Sequence, residues 1–231
     1  MSKGLIYTLE SDGSLKKMTP AVPKSEDQMQ ELVARYPELI SDSDGGLLLI
    51  RREQNIWDSD DGSARWSVDH LFVTSEAIPV LIELKRAVDT RLRREVVGQM
   101  LDYAANAATF WRAGNIAESF AKTNEGRDPE QLLHDFIGDR NASEFWNQVD
   151  ANMKAGRIKL VFVADEIPRE LARIVEFLNE QMRADVRAVE LRWFTGDDGV
   201  IALSPRIIGE TERAVSMKSP VTARSALSLD E

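Results

Sequence analysis

Residues 80–85 read Val-Leu-Ile-Glu-Leu-Lys, an apolar strand that admits a carboxylate and an ammonium two positions apart. Side chains of a strand alternate between faces, so Glu83 and Lys85 share a face with Leu81, while Val80, Ile82 and Leu84 point the other way. The segment therefore calls for a sheet, and for partners to two charges held side by side on one face.

The preceding residues supply both. Residues 64–74, ARWSVDHLFVT, read as a strand that reaches residues 78–85 through the short link SEA, so the two form an antiparallel pair. Asp69, Leu71 and Val73 share a face, and a turn near Glu76 sets Asp69 opposite or nearly opposite Glu83. Two carboxylates and an ammonium then occupy one small space. His70 points away from Asp69, towards packing or solvent contact rather than catalysis.

The rest of the chain alternates in the same legible way. LIYTLESDGSLKKM reads as a hairpin turned at Asp12-Gly13. SEDQMQELVARYPELI reads as an amphipathic helix with Ser25 as N-cap and Met29, Leu32, Val33 and Tyr36 on its apolar stripe, stopped by Pro37. GLLLIRREQNIW is a strand, separated from the Asp69 strand by the Asp/Ser/Gly loop at 58–63. From about Arg91 to Trp111 the pattern is helical, with Val97, Leu101, Ala104 and Ala108 on one face, and DPEQLLHDFIG and NASEFWNQVDANMKAG are two further helices. IKLVFVAD is a buried strand whose Asp165 is placed to cap the next helix, which Pro168 opens. VRAVELRWF and VIALSPRII form a hairpin around residues 196–199. The five tryptophans are scattered through separate elements, as core or partner-surface residues are. No internal repeat is present. This order implies an α/β protein: one mixed sheet with helices on both sides. It divides into an N-terminal extension at 1–24, a main domain at 25–212 and a Ser-, Thr- and Arg-rich tail at 213–231, which is expected to be mobile.

Composition narrows the chemistry. With 231 residues, 43% of them hydrophobic, the chain can bury a substantial core. No run approaches the roughly 20 apolar residues of a membrane span, and the first residues lack the apolar core of a signal peptide, so a cytoplasmic protein is expected. Without cysteine, and with only His70 and His134 as imidazoles, the usual zinc and iron-sulfur ligands are missing, and any metal must be bound by oxygen. A net charge of −10 argues against a nucleic-acid binder that uses its whole surface, but Lys85, Arg86, Arg91, Arg93 and Arg94 form a local basic patch. Such a patch is either an exposed helix start paired with Asp89 and Glu95 or a seat for a nucleic-acid backbone.

Two buried carboxylates about 5 Å apart repel each other and lose solvation, so they persist where a cation lies between them. Mg²⁺ or Mn²⁺ meets that need: such an ion takes oxygen ligands at about 2.1 Å and can polarise a phosphodiester. Lys85 beside it could orient or deprotonate a water, or offset charge developing on phosphate. A lone Glu-x-Lys in a strand is ordinarily a salt-bridged solvent face. The aspartate, the flanking apolar runs and the helix that follows give this one more weight.

Val68-Asp69, with Glu83-Leu84-Lys85 beginning fourteen positions after the aspartate, resembles the core of the PD-(D/E)XK nuclease superfamily, with Val68 in place of the motif's proline. Gln99 and Tyr103, four apart on one helix face, are similar to the Q-x-x-x-Y element of its RecB-like and NucS-like branches. Residues 25–40 resemble the helix preceding the core in NucS-like endonucleases, where an acid near the helix start joins the metal site; here that acid is Glu26, which alternatively serves only the helix dipole. The resemblance covers roughly residues 25–112, and residues 158–179 are similar to the second half of such domains. Residues 41–64 form a long insert, and only about two dozen residues stand where NucS-like enzymes carry a DNA-binding domain.

The resemblance implies a restriction-endonuclease-like mixed sheet flanked by helices, and metal-dependent hydrolysis of phosphodiester bonds in DNA, RNA remaining open. It implies Asp69, Glu83, the Leu84 carbonyl and Glu26 as Mg²⁺ or Mn²⁺ ligands and Lys85 as the residue that positions the nucleophile. Gln99 and Tyr103 would orient the site or contact phosphate, and Arg86, Arg91, Arg93 and Arg94 would meet the nucleic acid. Cutting both strands of a duplex would favour a twofold homodimer, and the negative charge is compatible with a recruiting protein partner. The alternative is a catalytically silent member of the superfamily acting as a binding or assembly module.

Overall fold

The computed structural model describes residues 6–41, 46–57, 64–88, 95–110 and 113–211. Ile6–Leu9 (β1) and Leu15–Ala21 (β2) form a hairpin whose turn uses Gly13 at φ 85°, a conformation that side chains oppose. Glu26–Arg35 (α1) begins where the Ser25 hydroxyl accepts the Gln28 N–H at 3.0 Å, and a single helical turn, Pro37–Leu39, ends it. Leu47–Trp57 (β3), Ala64–Thr74 (β4) and Pro79–Lys85 (β5) pair antiparallel in succession. Four helices follow: Glu95–Phe110 (α2), Asn115–Thr123 (α3), Pro129–Ile137 (α4) and Ala142–Lys154 (α5). Lys159–Ala164 (β6), Arg169–Gln181 (α6), Asp185–Thr195 (β7) and Ile201–Ile208 (β8) complete the described fold.

Among the described residues the chain is thus a mixed α/β fold: an open eight-stranded sheet flanked by six helices. The sheet runs β1-β2-β7-β6-β5-β4-β3, with β8 on β7. β5, β6 and β7 are parallel neighbours, joined by helical crossovers as parallel pairing requires. β8 follows one edge of β7; the other edge is shared, β6 pairing with residues 185–190 and β2 with residues 193–195. The N-terminal hairpin is therefore tied into the main sheet.

Two apolar layers cover the sheet. Leu71, Val73, Leu81, Leu160, Phe162 and Val186 pack beneath α2 to α6 in the larger layer. Phe72, Val80, Ile82, Leu84, Val161 and Val163 lie on the other face with Met29 and Val33 of α1. The alternation along β5 thus separates Leu81 from Val80, Ile82 and Leu84 as the sequence predicts. Helices lie on both faces, five against one.

Some expectations needed revision or fall elsewhere. α3 was not anticipated; its Ile116 and Phe120, four apart, bury one face, and Phe120 lies 5.6 Å from the Trp146 ring. The helix that follows Pro168 begins at Arg169, with Pro168 as its cap residue. The loop at 58–63, the helix start at Arg91, Arg93 and Arg94, Trp111 and the tail at 213–231 lie outside the described residues. No helix among the described residues is long and apolar enough to cross a membrane.

Candidate active site

β4 and β5 pair through Leu71↔Leu81 and His70↔Ile82. The next residues along are Asp69 and Glu83, and there the carboxylate enters the ladder: Asp69 Oδ2 accepts the Leu84 N–H at 2.6 Å. The strand geometry that sets Asp69 beside Glu83 is the one the sequence implies, with the turn at residues 75–77.

Lys85 gathers the rest. Its Nζ lies 3.0 Å from Glu83 Oε1, 3.1 Å from Glu26 Oε1 and 3.9 Å from Asp69 Oδ2, and it donates to the Leu84 carbonyl at 2.9 Å. The four oxygen donors named from the sequence thus surround one ammonium. Glu83 is 4% exposed and forms the floor with Asp69, while Lys85 and Glu26 face solvent in part. Glu26 reaches the cluster because it opens α1, whose apolar stripe seats Met29 and Val33 on the sheet.

The electrostatics follow from burial. Asp69 is pushed up to about 7, first by burial and next by the charge of Glu83. Glu83 is also raised, mainly by burial, against the pull of Lys85. Burial disfavours the Lys85 charge, but Asp69, Glu83 and Glu26 outweigh it and hold the ammonium above the ordinary lysine value. The Tyr103 phenol is raised by burial and then by Glu83 and Asp69, which places it within their field. Gln99 lies one turn earlier on α2 and is half-buried.

The fit to a hard divalent cation can be tested on these atoms. Every donor is an oxygen, and Glu83 Oε2 is buried with no hydrogen-bond partner, an unmet bonding capacity that a cation would fill. Three carboxylates against one ammonium leave two negative charges uncompensated when all are ionised. As they stand, no three His, Asp or Glu side chains among the described residues are arranged to hold a metal. Carboxylates drawn to an ammonium at 3.0 Å or more stand farther out than the roughly 2.1 Å of Mg²⁺ coordination. The donor set fits; its spacing is that of the ammonium.

Other residues occupy less direct places. Arg86 directs Nη1 to the Lys24 carbonyl at 3.5 Å, tying the end of β5 to the segment before α1, whereas Arg91, Arg93 and Arg94 are outside the described residues. Asp165 does not cap α6, whose cap position has no side-chain hydrogen bond; instead Asp165 Oδ1 accepts the Ala87 N–H at 2.6 Å. The two parallel strands end side by side, Lys85 against Ala164, so the aspartate meets the chain leaving β5 before it can reach the helix. His70 packs away from the cluster, stacked 5.8 Å from Phe72, with Nε2 3.0 Å from the Gln30 carbonyl. A cleft of about 310 Å³ lined by Ala21, Asp165, Arg192 and Trp193 opens nearby at the ends of β6 and β7, without the acidic cluster in its walls.

Sequence reasoning missed Gln30 and Arg52. Gln30 Nε2 donates to Asp69 Oδ1 at 2.9 Å, and its Oε1 accepts from Arg52 Nη2 at 3.1 Å. A signal was present: Gln30 stands four residues after Glu26, next to Met29 of the apolar stripe, so it shares the face that carries Glu26 to the site. Compared with family models, with curated proteins and with solved structures, the chain matches none.

Proposed function

We propose that this chain is a metal-dependent nuclease of restriction-endonuclease-like fold that hydrolyses phosphodiester bonds in DNA. The observation that carries the reading is the convergence of Asp69, Glu83, Glu26 and the Leu84 carbonyl on one point, with a buried Glu83 oxygen left without a partner. These residues would hold Mg²⁺ or Mn²⁺, which when bound supplies Lewis acidity towards a phosphodiester. Asp69 and Glu83 stand on their strands and Glu26 on α1, so binding the cation would require Lys85 to leave the cluster and the carboxylates to close in from their ammonium spacing. Lys85, released from the carboxylates, is left to orient the attacking water or to offset charge on the phosphate. Tyr103, inside the same field, and Gln99 one turn away would orient the site or contact phosphate. Arg86 with Arg91, Arg93 and Arg94 would meet the nucleic-acid backbone.

One observation favours a second reading, a catalytically silent or partner-dependent module. Lys85 already stands among the carboxylates and offsets part of their charge without a metal. The experiment that separates the two is cleavage of labelled single strands, duplexes, flaps, mismatched duplexes and RNA with Mg²⁺, Mn²⁺ or EDTA, comparing the native chain with Glu83→Ala. Metal-dependent cutting that disappears in the variant supports the nuclease and names its substrate. No cutting by either chain, alone and with a recruiting partner, contradicts it.

A further inference from the structure

Asp69 is held at both oxygens by groups without charge, the Leu84 N–H on Oδ2 at 2.6 Å and the Gln30 amide on Oδ1 at 2.9 Å. Gln30 is 6% exposed and is itself held on two further sides. Its Oε1 accepts from Arg52 Nη2, which also pairs with Asp27 Oδ1 at 2.6 Å, and its main-chain carbonyl lies 3.0 Å from His70 Nε2. A carbonyl can only accept, so His70 Nε2 carries the hydrogen, and burial keeps the ring neutral by lowering its pKa to about 4. Likewise a guanidinium only donates and an ionised carboxylate only accepts. The Gln30 amide can therefore bridge Arg52 and Asp69 in one orientation, oxygen to Arg52 and nitrogen to Asp69. Glutamate at this position would set another charge against Asp69, and an apolar side chain would bridge nothing.

We propose that Gln30 is the positioning residue for Asp69, with Arg52 fixing the direction of its amide, so that the remaining carboxylate lone pairs are presented to the cation. A carboxylate offers about four acceptor positions; Gln30 and Leu84 take two, and the other two are left facing the site. Because Gln30 and Glu26 lie one turn apart on α1, the helix brings both a ligand and the group that aims another ligand. This inference rests on the reading of the acidic cluster as a Mg²⁺ or Mn²⁺ site.

The test is Mn²⁺ binding by calorimetry on the native chain, Gln30→Met and Arg52→Met, each checked for an unchanged far-ultraviolet circular dichroism spectrum, beside cleavage rates over a Mn²⁺ series. Groups that orient metal ligands typically contribute 10- to 100-fold in affinity or activity. Gln30→Met should bind Mn²⁺ more weakly by about that factor, with part of the rate restored by added metal. Arg52→Met should move the same way by less. A merely structural role leaves the Mn²⁺ affinity of a folded variant unchanged, so native-like binding by Gln30→Met overturns the proposal while leaving the metal site intact. A native chain that binds no Mn²⁺ overturns the metal reading and this proposal with it. Should Gln30→Met not fold, an unchanged affinity in Arg52→Met overturns the proposal, and a weakened one supports it.

Discussion

Asp69 and His70 are adjacent residues shifted in opposite directions by one cause, because burial disfavours the charged form of both and that form is the deprotonated acid in one and the protonated base in the other. Asp69 rises from the ordinary 3.8 to about 7 through burial and then Glu83, so between those values the folded protein holds a proton that the unfolded chain has released. Its contribution to stability therefore falls as pH rises from about 4 to about 7. His70 falls from 6.5 to about 4 through burial, so the unfolded chain takes up a proton first, and stability declines as pH drops through that range. Asp69→Asn removes the first contribution only. In the metal-free protein, the stability of Asp69→Asn relative to native should rise across that window, as read by urea unfolding at a series of pH values; a flat or falling difference contradicts the burial of an ionisable Asp69. At this scale the clustering of Asp69, Glu83 and Lys85 was legible, because it follows from strand alternation and one short turn. Gln30 and Arg52 were not, because their burial depends on packing between elements 22 to 39 residues apart.

α1 is the element on which the site depends most, since it supplies Glu26 and Gln30 from successive turns. Its first turn is stabilised by Ser25, whose hydroxyl accepts the Gln28 N–H, while Gln28 Oε1 accepts the Lys24 N–H at 2.8 Å. Ser25→Ala should cost about 1 kcal/mol of stability in denaturant unfolding and reduce metal affinity, because Glu26 sits in the turn that frays. A loss of stability without any change in metal affinity would remove Glu26 from the site. The strands and the longer helices were readable from periodicity, and Ser25 from cap chemistry. α3 escaped notice because it has nine residues, no side-chain cap and a buried face that makes sense only against Trp146 of α5. Asp165 was misjudged for a related reason: its place beside a helix start suggested a cap, but the neighbouring parallel strand supplied a nearer N–H, from Ala87.

The whole molecule is an acidic protein with a run of basic residues close in sequence to one acidic cluster. Its net charge of −10 opposes non-specific attachment to nucleic acid, so under the proposed function binding would lean on a few phosphates. Replacing Arg91, Arg93 and Arg94 together by alanine should weaken binding uniformly across sequences and flatten the dependence of log affinity on log salt by roughly one unit for each phosphate no longer neutralised. An unchanged slope would place the backbone elsewhere. The mixed sheet with helices on both faces was legible from the order of elements. The pairing of β2 with β7, which joins chain segments 176 residues apart, was not, because local pattern carries no information on such partners.

The central claim is that the acids hold the metal and Lys85 acts on the reaction. The most direct measurement is cleavage by Lys85→Met at saturating Mg²⁺, beside Mn²⁺ binding by the same variant. Metal still bound with cutting abolished is the predicted result. Normal cutting by Lys85→Met would contradict the account.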